Sequence, residues 1–322
     1  MKEELKSIII ENFQTESGYK CDSFSMTYEI IGKELHSAPI VLVNHALTGN
    51  SDIASPQFGW WKSIIGGNKL IDTNKYSVIA INIPGNAYDG HIIENYQDYT
   101  AEDIAQLYLL TLEKIGVTSL FAVIGGSLGG GIAWEMAAIN PELIEYLIPV
   151  ASDWKATDWI IAQNYVQENI LKHSSKPLYD VRMMAMLFYR TQASFAAKFN
   201  RTKTENNQLF NIESWLNHHG EKLEARFQLS AYQLMNHLLT TVDISKNKTS
   251  FEDAVKDIKS TIIQIAIDSD LLFVKEENME TKRRLDKLNI KNQYHEIKSI
   301  HGHDAFLIEF EQLSKILKPI FE

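Results

Sequence analysis

One segment carries the plainest chemistry in this sequence: Gly125-Gly126-Ser127-Leu128-Gly129-Gly130. It follows a short apolar run, Ala122-Val123-Ile124, and precedes residues 132–138, whose composition suits a helix. Gly-x-Ser-x-Gly between a strand and a helix puts the serine on a sharp turn. Its hydroxyl then projects from the carboxyl edge of a sheet, and helix N–H groups face any negative charge that develops there. A phosphate-binding loop shares the glycines but carries Lys-Ser or Lys-Thr after the last of them, and neither follows here. The chemistry expected is that of an activated serine nucleophile.

A serine hydroxyl needs a base, and the base needs an acid to orient it. Where the nucleophile sits on a strand–helix turn, the acid and base follow in the chain, each on a loop after a core strand. The apolar run 260–267 ends at Asp268-Ser269-Asp270, and one later loop carries histidines, His301 and His303. Residue type and order leave either aspartate paired with either histidine. An oxyanion hole would use the backbone N–H of Leu128 and that of Leu47, the latter in the loop Asn44-His45-Ala46-Leu47-Thr48-Gly49. His45 precedes the nucleophile within that loop, so a structural role is expected of it.

These groups need a scaffold. The 322 residues are 45% hydrophobic, enough for one large core with an inserted subdomain. A net charge of −10 argues against a nucleic-acid surface, and the basic run Lys282-Arg283-Arg284 reads as a solvated helix face. The single cysteine, Cys21, rules out a disulfide framework or a thiolate metal cluster. No apolar run has signal-peptide or transmembrane character, so a soluble cytoplasmic protein without membrane partners is expected.

Strand and helix signals alternate through 1–152. They predict a mostly parallel, doubly wound α/β sheet whose first core part covers this range. The paired Trp60 and Trp61 are expected to pack in the core. Residues 153–242 show helical spacing almost throughout and predict a helical lid insertion, with Met183, Met184 and Met186 in its core. Arg182 and Arg190 are the arginines expected to face a site beneath it. The α/β pattern resumes over 243–322.

The motifs His45-Ala46-Leu47-Thr48-Gly49, Gly59-Trp60-Trp61, Gly126-Ser127-Leu128-Gly129-Gly130, Ser269-Asp270-Leu271-Leu272-Phe273 and Gly302-His303-Asp304-Ala305-Phe306 resemble successive signatures of the homoserine O-acetyltransferase family. These are α/β-hydrolase-fold acyltransferases of methionine biosynthesis. The resemblance implies an α/β-hydrolase fold with a helical lid and selects Asp270 as the acid and His303 as the base. It places Arg182, within Arg182-Met183 and followed by Tyr189, on the substrate carboxylate, and Asp304 on the substrate ammonium. Acetyl-CoA and L-homoserine are the implied substrates, with no metal, no permanently bound cofactor and a homodimer formed through the helical insertion. The loop 82–90 and Val274 depart from the family pattern. Related transfers, of succinyl or to serine, a hydrolase with water as acceptor, and a non-catalytic binding protein are the other readings.

Overall fold

The computed structural model describes residues 4–206 and 208–322. Its strands are β1 (Lys6–Gln14), β2 (Lys20–Gly32), β3 (Ile40–Asn44), β4 (Ile65–Gly66), β5 (Ile71–Asp72), β6 (Ser77–Ile81), β7 (Leu120–Gly126), β8 (Ile144–Val150), β9 (Thr261–Ile267) and β10 (Asn292–Ile297). Eight of them form one sheet in the order β1-β2-β6-β3-β7-β8-β9-β10, while β4 and β5 pair separately. The hairpin β1–β2 turns at Glu16-Ser17-Gly18 and is antiparallel, as is its junction with β6. Every other pairing in the large sheet is parallel. The all-buried pattern of β3 and β6 follows from covering both faces of a parallel sheet.

Helices α1 (Ala101–Lys114) and α2 (Leu128–Ile139) lie on one face. Thr100 and Asp103 close a capping box at the start of α1, and Gly116 with φ +78° ends it. Between β8 and β9 the chain forms α3 (Asp158–His173), α4 (Pro177–Tyr189), α5 (Gln192–Phe199), α6 (Asn211–Glu224), α7 (Leu229–Thr241) and the short α8 (Phe251–Val255). The entry and exit of this helical segment meet: Ala156 N–H donates to Val242 O (2.8 Å) and Ile244 N–H to Trp154 O (3.3 Å). Helices α9 (Lys275–Lys287) and α10 (Phe310–Phe321) complete the fold. On the second face α10 packs with Trp61 and Phe306.

Several expectations for the surface and core change at the level of single residues. Trp61 is fully buried, with Nε1–H donating to Phe306 O (3.3 Å), whereas Trp60 is half-buried. Met186 is buried, while Met183 and Met184 are half-buried. Arg284 is not part of a solvated face. It makes a two-pronged ion pair with Glu252 (2.7 and 2.9 Å) and lies over Phe251 and Trp154, because a planar guanidinium can bind a carboxylate and stack on rings together.

The parallel strands settle where chemistry can occur. The loops after β3, β7, β9 and β10 leave the same edge of the sheet, and they carry His45-Ala46-Leu47, Ser127, Asp270 and His303.

Candidate active site

Ser127 sits between β7 and α2 with φ 54° and ψ −124°. A non-glycine residue in that region costs on the order of 1–3 kcal/mol, held here by the fold around it. Ser127 N–H donates to Val150 O on the neighbouring strand (2.9 Å), and Gly130 N–H donates back to Ser127 O (2.9 Å). The turn has no room for side chains. A Cβ on Gly129 would stand 2.4 Å from Asn44 O, and one on Gly125 would stand 2.3 Å from the backbone of Gly129. These glycines let the nucleophile turn press against the β3 loop that carries Leu47.

The Ser127 hydroxyl lies 2.9 Å from His303 Nε2, and His303 Nδ1 lies 2.7 Å from Asp270 Oδ2. An ionised carboxylate only accepts, so Nδ1 carries the proton and Nε2 is left to accept the hydroxyl hydrogen. The second Asp270 oxygen accepts from the N–H groups of Leu272 (2.7 Å) and Phe273 (3.1 Å), which aims the carboxylate at the ring. All three side chains are buried. Phe273, Phe306 and Tyr189 surround the imidazole at centroid distances of 5.8, 5.5 and 5.6 Å.

The alternatives left open by residue order are elsewhere. Asp268 accepts from Ser299 N–H (2.9 Å), and His301 Nδ1 contacts Ser194 Oγ of α5 (3.0 Å). His45 is structural, as expected. Ile83 N–H donates to its Nε2 (2.9 Å), and its own Nδ1–H donates to Ala46 O (2.9 Å). Burial pushes its pKa down to about 4, outweighing the opposing hydrogen bond to Ala46. It fastens the Leu47 loop to the loop after β6. Among the described residues the N–H groups of Leu47 and Leu128 donate to no backbone carbonyl, the state a donor to an oxyanion requires.

Above the triad, Arg182 lies over the Tyr189 ring at 5.6 Å and makes no ion pair among the described residues. Asp304 is paired with Arg190 (3.5 Å), whose Nε is buried without a partner. Burial raises the Asp304 pKa, against the lowering effects of Arg182, His303 and Arg190. A third cation joins the two that were expected. Arg226 Nη1–H donates to Thr48 O (3.1 Å), beside the Leu47 loop, and the Arg182 charge acts on it second only to desolvation. Nothing in the local sequence marked Arg226, because it lies in the α6–α7 connection and reaches the β3 loop only through packing. Among the described residues no cluster of His, Cys, Asp and Glu is arranged to hold a metal, and no helix is long and apolar enough to cross a membrane.

The His303 pKa is raised. Desolvation opposes the charged ring, but the Asp270 carboxylate, its hydrogen bond and then the Asp304 charge outweigh it. A base must be neutral to accept a proton, so activity falls as pH drops through this raised value. The acid limb of kcat/KM for an acyl donor is therefore expected above pH 6.5, the ordinary imidazole value. Asp270→Asn removes the raising charge and leaves the burial, so the limb should move to lower pH while the rate drops roughly 10⁴-fold. A wild-type limb below 6.5 would contradict this assignment.

A buried serine–imidazole–carboxylate chain at the carboxyl edge of a mostly parallel sheet defines the α/β-hydrolase class, and a family profile described as alpha/beta hydrolase fold matches residues 39–309. Among curated proteins, a homoserine O-acetyltransferase of Cyclobacterium marinum is 33% identical over 335 residues, covering 97% of this chain and 93% of its own. The chain belongs to the homoserine O-acetyltransferase family. Among solved structures, a homoserine O-acetyltransferase from Bacillus anthracis superposes with a TM-score of 0.89 at 20% identity, covering 99% of this chain and 97% of that one. Esterase E22 superposes with a TM-score of 0.85 at 20% identity, covering 99% and 100%. At that identity both show the shared fold.

Proposed function

We propose that the protein transfers an acetyl group from acetyl-CoA to the hydroxyl of L-homoserine through an acetyl-Ser127 intermediate, a step of methionine biosynthesis. His303 Nε2 takes the Ser127 proton as Oγ attacks the thioester carbonyl, and the Leu47 and Leu128 N–H groups stabilise the oxyanion. The C–S bond breaks, and CoA leaves with the proton from His303. The homoserine hydroxyl then gives its proton to His303 and attacks the acetyl carbonyl. Collapse releases O-acetylhomoserine and returns the proton to Ser127. Asp270 holds the imidazole tautomer and stabilises its charged form.

The observation that supports the acceptor half is Arg182, a cation beside the triad that forms no ion pair among the described residues. It suits the amino-acid carboxylate, while Asp304 receives the ammonium and shares its charge with Arg190. A zwitterion clamp of this kind serves transfer to an amino acid better than transfer to water. The helical segment acts as the lid that excludes water. Product analysis with acetyl-CoA and succinyl-CoA against homoserine and serine tests the reading. O-Acetylhomoserine should dominate, and acetyl-CoA consumption at the same rate without homoserine would instead establish a hydrolase.

The protein is further proposed to work as a cytoplasmic homodimer joined through the helical segment. Trp159, Ile161, Tyr165 and Val166 of α3 and Leu187 of α4 are exposed, apolar surface on the helical segment that gains from burial. Light scattering should give twice the chain mass, and Tyr165→Glu should lower it toward the monomer.

A further inference from the structure

A groove of 470 Å³ lies at the carboxyl end of α5, lined by Phe195, Phe199, Phe210 and Arg201. Arg201 lines it, and two lysines lie over its rings, Lys198 also standing 5.0 Å from the Trp215 ring. Lys198 stands over the Phe199 ring at 5.4 Å, and Arg201 and Lys203 stand over the Phe210 ring at 5.5 and 5.4 Å. None of these three cations forms an ion pair among the described residues, in a chain with net charge −10. Phenyl walls and unpaired cations together suit a planar base that carries phosphates.

The groove is also connected to the triad. At its beginning α5 rests on the base's loop: the Thr191 hydroxyl donates to Ile300 O, and Ser194 Oγ meets His301 Nδ1 (3.0 Å). From Asp304, next to the base, three contacts lead outward. They run from Asp304 to Arg190 at 3.5 Å, from Arg190 to the Trp215 ring at 5.9 Å, and from Trp215 to Phe195 at 5.7 Å. These contacts link the groove's wall to the loop of the base. Another groove, 590 Å³ along Trp159, Phe188 and Leu271, is lined by Asp153, Asp158 and Glu277 against the single lining cation Lys155, a surface poorly suited to phosphates.

We propose that the groove at the end of α5 binds the phosphorylated adenosine of the acyl-CoA donor, with Lys198 and Arg201 on its phosphates. The proposal rests on acetyl-CoA being the donor. Its test is the double variant Lys198→Glu/Arg201→Glu, on solvent-facing positions at the helix end. A matched reversal on the opposite part of the protein, Lys287→Glu/Lys315→Glu on α9 and α10, controls for net charge.

In the groove variant KM for acetyl-CoA should rise about tenfold, an effect that shrinks with added salt. Its kcat/KM with S-acetylpantetheine, which lacks the nucleotide, and its KM for homoserine should stay unchanged. Adenosine 3′,5′-bisphosphate should inhibit the wild type competitively against acetyl-CoA and inhibit the groove variant far less. Equal effects of the two reversals, or equal losses on both thioesters, would overturn the proposal. A wild-type enzyme that uses S-acetylpantetheine as well as acetyl-CoA overturns the groove and leaves acetyl transfer standing. One that uses neither thioester overturns both.

Discussion

Ser127→Ala is expected to lower the rate of acetyl-CoA consumption by roughly 10⁵- to 10⁶-fold, with or without homoserine. The loss is that large because in the proposed reaction every covalent step passes through Oγ, which is hydrogen-bonded at 2.9 Å to a base that has no second nucleophile among its described hydrogen-bond partners. Alanine at φ 54° is strained as serine is, and it leaves the N–H to Val150 O and the glycine contacts of the turn untouched. The variant should therefore fold and melt close to the wild type. Intact-mass measurement after mixing with acetyl-CoA should show an acetyl adduct on the wild-type chain and none on the variant. An adduct on the variant, or turnover within a hundredfold of wild type, would place the nucleophile elsewhere.

The second large effect should separate the two halves of the reaction. Arg182→Met is expected to reduce kcat/KM for homoserine by about 10²- to 10³-fold, the consequence of leaving a substrate carboxylate in a confined site without its cation. Formation of the acetyl-enzyme should be unchanged, because among the described residues Arg182 forms no hydrogen bond or ion pair with Ser127, His303 or Asp270. A rapid-quench experiment should thus show a full burst of CoA release followed by a slow steady state. Methionine keeps much of the side-chain volume against Tyr189, so packing loss stays small. If Arg190→Met cost more in homoserine kcat/KM than Arg182→Met, the roles of the two arginines would be exchanged. Arg190 would then be the carboxylate reader rather than the residue that balances the buried Asp304.

Much of this site is readable from residues because its constraints are local. A strand, a glycine-bounded serine and a helix are adjacent in sequence, and the turn tolerates only small residues on either side. The strand end before Asp270 announces itself as an apolar run that stops at a polar loop. By contrast, β10 before His303 is the largely polar edge strand Asn292–Ile297 and is marked mainly by the histidine loop that follows it. Arg284 and Arg226 were legible only as charges. One docks on Glu252 and two rings, the other on Thr48 O, and each partner is distant in the chain.

By itself, then, the sequence determined an α/β sheet with a serine on a glycine-rich turn at its edge, and its motifs singled out Asp270 and His303. Those features depend on short-range periodicity and turn chemistry, which a chain carries in its residue order. Tertiary structure alone decided that His301 turns away to Ser194 while His303 meets both Ser127 and Asp270. It also decided that Asp304 is paired with Arg190, that Arg182 has no ion pair among the described residues, and that Arg226 reaches the loop carrying Leu47. Each of these is a contact between segments far apart in the chain, and which charge finds which partner depends on the packing of the helical segment over the sheet edge.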